Sequence, residues 1–368
     1  MKLNSIATTI EAALTKAGLN SRLGAMGAAT GVIRRALAAA GLVQRDGGDV
    51  PNRRTAPWRS PSVYPDDITD ATPSQAPRAS QAGQFLSCSI SLGAHSMDYR
   101  LFVPIGAIAE PRPLVVMLHG CTQTPDDFAL GTGMNELAQA QGFLVAYPAQ
   151  TARANGSRCW NWFDVQQQSR GGVEASLIAA VARDIAQAWH VDGRRVFVAG
   201  LSAGGAMARI LGNAYPEVFA AVGVHSGVAL GTAHDVGSAF AAMRGVSAGS
   251  PRAASASAKA VPTIVFHGDA DHTVNDSNAR EITAQARRAF EAATDQPLRE
   301  ILHPRHTVRG REVSTTQYLD ADGKTRVEHW VLHGADHAWE GGDEAGSYTD
   351  TKGPCASQAM MEFFMYQQ

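Results

Sequence analysis

Two stretches of the chain read Gly-x-Ser-x-Gly: "RVFVAGLSAGGAMARI", centred on Ser202, and "AAMRGVSAGSPRAAS", centred on Ser247. The pattern is that of a serine prepared to attack an acyl carbon. Its glycines let the backbone turn sharply, and a helix starting at the serine favours the negative charge that develops there. With 36 glycines in the chain, a chance match is expected, so context has to choose. Ser202 follows a buried-strand pattern, "RVFVA", and precedes a helical one. Ser247 follows a helical stretch, "GSAFAAMR", and runs into a loop with Pro251. Ser202 is the expected nucleophile and Ser247 a decoy.

A serine hydroxyl needs a base, and the base needs an orienting carboxylate. An acid and then a histidine are expected downstream, each in a loop after a strand. "PTIVFHGDADHTVN" offers Asp269 and Asp271, and "HWVLHGADHAWEGG" offers His333 and His337. Asp271 is preferred because the loop must bend back before its acid can reach an imidazole. His337 is preferred because it lies past the Gly334 turn, whereas His333 ends a strand. His225, His267 and His272 are read as structural, hydrogen-bonded near the site edge. The oxyanion needs two N–H donors. Ala203 supplies one, and Cys121 or Thr122, in the loop after "VVMLHG", supplies the other.

"SRCWNWFD" places Trp160 and Trp162 in a polar loop, and Trp339 follows His337. These indoles are candidates for an aromatic wall against substrate; the competing reading is that they fill the core. Cys121 and Cys159 fall on neighbouring loops, and a disulfide between them is a hypothesis.

The elements that must position these residues begin near residue 84. "QFLSCSISL" and "MDYRLFV" alternate as a half-buried antiparallel hairpin does. "PLVVMLHG", "FLVAYP", "RVFVAG", "FAAVGVHSG", "PTIVFHG" and "RVEHWVLH" read as strands, and the amphipathic stretches between them as helices. Such alternation gives a mostly parallel sheet with helices on both faces. Residues 1–43 read as a helical segment and 44–83 as a Pro-rich linker. Residues 84–368 read as the catalytic domain.

Composition narrows the function classes. The net charge of −2 lacks the basic footprint of a nucleic-acid binder. No apolar run is long enough to cross a membrane. The four cysteines form no Cys-x-x-Cys pair, and no metal site or cofactor is expected. The amino end is a poor export signal, with Asn4, Thr8, Thr9 and Glu11 interrupting its apolar run.

"LVVMLHGCTQTPDDF", "CWNWFD", "VFVAGLSAGGAMA", "IVFHGDADHTVN" and the segment from "GADHAWEGG" to "MMEFF" together resemble the poly(3-hydroxybutyrate) depolymerase family of serine esterases. That family has feruloyl and acetylxylan esterase relatives. The resemblance implies an α/β-hydrolase fold, carboxylic-ester hydrolysis and a polyester or small-ester substrate. It implies Ser202 as nucleophile, Asp271 as acid, His337 as base and Cys121 as an oxyanion donor. An intracellular enzyme on stored polymer is expected from the amino end; an extracellular one, as in many family members, is the alternative. A non-catalytic binder of polyester granules is the rival from another class.

Overall fold

In a computed structural model of the chain, residues 83–106, 110–246 and 260–367 are described. The helical segment 1–43, nearly all of the linker 44–83, and Ser247 lie outside them.

The hairpin expected at the start is present as β1 (Gln84–Leu92) and β2 (His95–Val103), paired antiparallel. β3 (Arg112–Leu118) is buried at every residue, as its unbroken apolar run requires of a strand covered on both faces. α1 (Pro125–Thr132) starts on Thr124, whose hydroxyl accepts from the Asp127 amide, with Pro125 in the first turn where its missing N–H costs nothing. Then come α2 (Met134–Gln141), β4 (Leu144–Pro148), α3 (Val173–Ala188), β5 (Val191–Leu201), α4 (Ala203–Ala214), β6 (Ala221–His225), α5 (Val236–Met243) and β7 (Thr263–Gly268). They are followed by α6 (Ser277–Thr294), β8 (Arg299–Val308), β9 (Arg311–Leu319), β10 (Thr325–Leu332), the short pair β11 (Trp339–Glu340) and β12 (Thr349–Asp350), and α7 (Ala356–Tyr366).

The first ten strands form one sheet in the order β1-β2-β4-β3-β5-β6-β7-β10-β9-β8. From β4 to β10 the neighbours are parallel, and an antiparallel hairpin closes each edge. Alternate residues of β3 serve two cores. Leu114, Val116 and Leu118 pack with α3 and α4 residues such as Ile178 and Met207. Val115 and Met117 pack with Met134 of α2 and Met360 and Phe364 of α7. Because the central strands are parallel, their carboxyl ends share one edge, where ligands of open α/β sheets bind.

The sequence reading does not contain β8 and β9. β8 carries Pro304, slips in register between His303 and His306, and is exposed along almost all its length. No alternation marks such a strand, and Pro is tolerated there because the strand is an edge.

Candidate active site

Ser202 stands between the end of β5 and the first residue of α4, with φ 57° and ψ −119°. A non-glycine residue in that region costs of order 1–3 kcal/mol and persists only where its surroundings enforce it. Here the enforcement is visible. The Ser202 amide donates to the His225 carbonyl at 2.9 Å. A Cβ on Gly200 would lie 2.4 Å from the Gly204 carbonyl carbon, and one on Gly204 would lie 2.0 Å from the Leu118 oxygen. The two flanking glycines are thus required by backbone packing against backbone.

The loop after β3 passes beside this turn, with a Cβ on Gly120 falling 3.7 Å from that of Ser202. Its shape is held by side chains. Gln123 Oε1 accepts from the Gly120 amide at 2.8 Å, while its Nε2 donates to Asp127 Oδ2 and the Ser347 carbonyl. The Thr122 amide donates to the Ser157 carbonyl at 2.6 Å and is thereby committed. The amides of Cys121 and Ala203 have no hydrogen-bond partner among the described residues. Of the two loop amides considered from sequence, Cys121 is the one left available. Cys121 and Cys159 are joined by a disulfide.

Asp271, after β7, is buried, and four N–H groups surround its carboxylate. Oδ1 accepts from the amides of Thr273 (2.9 Å) and Val274 (2.8 Å). Oδ2 faces His337 Nδ1 at 2.7 Å and His267 Nε2 at 3.4 Å. His267 Nε2 also faces the Val274 carbonyl at 2.8 Å, so that nitrogen must carry the ring proton. Burial alone would raise the Asp271 carboxyl; the donors from His267 and His337 outweigh it and hold the acid well below the usual carboxylate range. His337 Nδ1 therefore donates to an ionised partner, which leaves Nε2 with the lone pair. Neither His337 Nε2 nor Ser202 Oγ takes part in a hydrogen bond among the described residues. The structure joins Asp271 and His337 directly and leaves the serine hydroxyl uncommitted.

The two residues passed over in the sequence also pair, but with each other: His333 Nδ1 lies 2.7 Å from Asp269 Oδ2. The structural reading of His225 and His267 agrees with their bonds. His225 is buried, its Nε2 accepts from the Glu340 amide at 3.2 Å, and burial pushes it down to about 3, helped by His267 and His337 nearby. His272 differs: it is exposed, and its amide, bonded to Asp336, is the group it contributes.

The aromatic wall is corrected. Trp160 and Trp339 are 0% and 1% exposed, and Trp162 is buried as well. Trp160 donates its N–H to the His119 carbonyl at 3.0 Å, and Trp339 donates to Ser357 Oγ at 3.1 Å while stacking on His225. Trp160 and Trp339 fill space behind the site loops, because a large apolar ring with its single donor satisfied gains most from leaving water.

Sequence reasoning missed the support under the Cys159 loop. Glu174, at the start of α3, is buried and accepts from Gln150 Nε2 (2.6 Å), the Asn161 amide (2.9 Å) and Asn161 Nδ2 (2.5 Å). Burial raises its carboxyl, partly countered by those donors. His119 is buried, bridges the Gly120 carbonyl and the Gln150 amide through its two ring nitrogens, and is pushed by burial down to about 4. No local signal distinguishes Glu174 from any first-turn helix acid.

Comparison with known proteins agrees with this architecture. Residues 97–299 match the family described as Esterase PHB depolymerase. The chain is 30% identical over 293 residues to a poly(3-hydroxyalkanoate) depolymerase C of Paucimonas lemoignei, covering 74% of this chain and 68% of that one. It is 30% identical over 250 residues to a poly(3-hydroxybutyrate) depolymerase of Ralstonia pickettii, covering 63% of this chain but only 49% of that protein. Among solved structures, an acetyl xylan esterase from Aspergillus awamori superposes with a TM-score of 0.55 at 20% identity, over 73% of this chain and 94% of that one. The fold is that of an α/β-hydrolase, and the chain belongs to the PHB depolymerase family of esterases.

Proposed function

We propose that the protein hydrolyses a polyhydroxyalkanoate such as poly(3-hydroxybutyrate) by two-step acyl transfer. The observation that carries the mechanism is the buried Asp271–His337 pair, built on the same sheet edge as a serine held at a positive φ. His337 Nε2 takes the proton of Ser202 Oγ as that oxygen attacks the ester carbonyl. Substrate binding tightens this contact, as is common where free-enzyme geometry is open. The amides of Ala203 and Cys121 hold the oxyanion, each worth about 3 kcal/mol in the transition state. His337 then protonates the departing alcohol, and water, activated the same way, releases the acid. No step calls for a metal or an organic cofactor.

The polyester reading is supported by the two depolymerase relatives. The competing substrates, acetyl or feruloyl esters of plant polysaccharide, are separated by one panel. Hydroxybutyrate release from amorphous polymer faster than acetate or ferulate release from substituted xylan supports the polyester; the reverse order replaces it. A fluorophosphonate probe that labels the protein but not Ser202→Ala supports the serine mechanism. Failure to label the folded protein would favour a non-catalytic granule binder.

For location, the disulfide supports the alternative considered from sequence, an extracellular enzyme, because such bonds persist in oxidising surroundings. Thiol counting on unfolded, unreduced protein isolated from its native compartment tests this. Two free thiols, from Cys88 and Cys355, support it; four restore the cytoplasmic reading.

A further inference from the structure

The loops that carry the acid and the base are joined by a reciprocal pair of carboxylates. Asp269 belongs to the acid loop, and its Oδ1 accepts from the Gly334 amide, in the base loop, at 2.6 Å. Asp336 belongs to the base loop, and its Oδ1 accepts from the His272 amide, next to Asp271, at 3.1 Å. The same Asp336 oxygen accepts from the His337 amide at 2.8 Å. One oxygen thus spans the residue after the acid and the base itself. Between the two clasps the Ala270 amide donates to the Ala335 carbonyl at 3.1 Å, and the loops touch closely enough that a Cβ on Gly268 would fall 2.2 Å from that carbonyl oxygen. Asp269 is anchored further by His333, whose Nε2 meets Ser314 Oγ of β9 at 2.8 Å.

We propose that Asp336, with Asp269 as its counterpart, is a positioning residue. It fixes the spacing of the two loops and thereby the Asp271–His337 hydrogen bond. Asp336 is exposed and fills no core position, so its bonds to the two loop amides are its structural contribution. A loop pair free to part by about 1 Å loses alignment of the imidazole with the hydroxyl, and a misplacement of that size costs roughly a hundredfold in rate. Ground-state binding of the ester does not depend on that alignment.

The inference rests on the function proposed above, so the test has two readouts. The first is kinetic, on wild type, Asp336→Ala and Asp336→Asn. Asn keeps an oxygen that can accept from both amides. Asp336→Ala is expected to lower kcat by tenfold to a hundredfold with KM within about twofold, and Asp336→Asn to recover to within about threefold of wild type. The second needs no turnover: the downfield proton resonance of His337 Nδ1–H, assigned by its loss in His337→Ala. It is expected to broaden or vanish in Asp336→Ala and to return in Asp336→Asn. If Asp336→Ala leaves kcat and the resonance unchanged, or if Asn rescues neither, the clasp is refuted. If wild type hydrolyses no ester while the resonance responds as stated, the clasp stands and the proposed function falls.

Discussion

Acidification should destabilise this protein through three imidazoles that the fold keeps neutral. His119 and His225 are 1% and 0% exposed, His329 lies on β10, and burial lowers the three from 6.5 to about 4, about 3 and about 4. Below about 6.5 the unfolded chain binds protons at all three positions and the folded protein does not. Stability is therefore lost as pH falls from 6.5 towards the folded values. Between about pH 7 and pH 5 each imidazole accounts for roughly 2 kcal/mol, or about 6 kcal/mol together. Glu340 runs the other way. Its buried carboxyl is pushed up to about 7, against the partly offsetting charge of Arg311. The folded state then binds the extra proton between the unfolded value of 4.5 and 7, so stability rises by about 2 kcal/mol as pH falls over the same interval. The net expectation is a loss of about 4 kcal/mol. Urea unfolding at the two pH values measures it. In Glu340→Gln the opposing contribution is gone, and the loss should grow to about 6 kcal/mol. Equal stability at both pH values in Glu340→Gln would show that His119, His225 and His329 titrate normally, and the burial argument would fail.

Other consequences are direct. Asp271→Asn presents an N–H to His337 Nδ1 and forces the wrong tautomer; kcat should fall about ten-thousandfold with KM little changed, in steady-state assays on a soluble ester. Opening the Cys121–Cys159 bond, which spans 38 residues, should lower stability by about 2–4 kcal/mol in urea titrations with and without reductant. Activity should drop as well, since the Cys121 amide is then less firmly held. Gly204→Ala drives a Cβ into the Leu118 and His119 carbonyl oxygens, at 2.0 and 2.6 Å. It should cost about 3 kcal/mol or more, and wild-type stability would show that the elbow has room. Arg209 of α4 is buried without an ion pair among the described residues, and burial lowers it to about 10. Arg209→Met should be neutral or stabilising by about 1 kcal/mol, read as a raised urea midpoint.

The architecture around the candidate site was legible in sequence wherever it depended on local periodicity or on backbone that only glycine permits. The strand "RVFVA", the helix after it and the glycines around Ser202 select one serine of two, because a sharp strand–turn–helix has few sequence solutions. Whether an aspartate meets a histidine depends instead on how separate loops approach. "DAD" and "HGADH" each present two candidates two or four residues apart, and only the tertiary structure sorts them into Asp271 with His337 and Asp269 with His333. The same holds for the indoles. Their spacing is compatible with a wall or a core, and the packing of the Cys159 loop over Glu174 and His119 put Trp160 inside. The edge strand β8 escaped for the opposite reason: exposed on its length and held by β9, it needs no apolar pattern of its own. Local sequence dictates which backbone shapes are affordable at each point, whereas burial and side-chain partners are properties of distant segments brought together, and no single stretch encodes them.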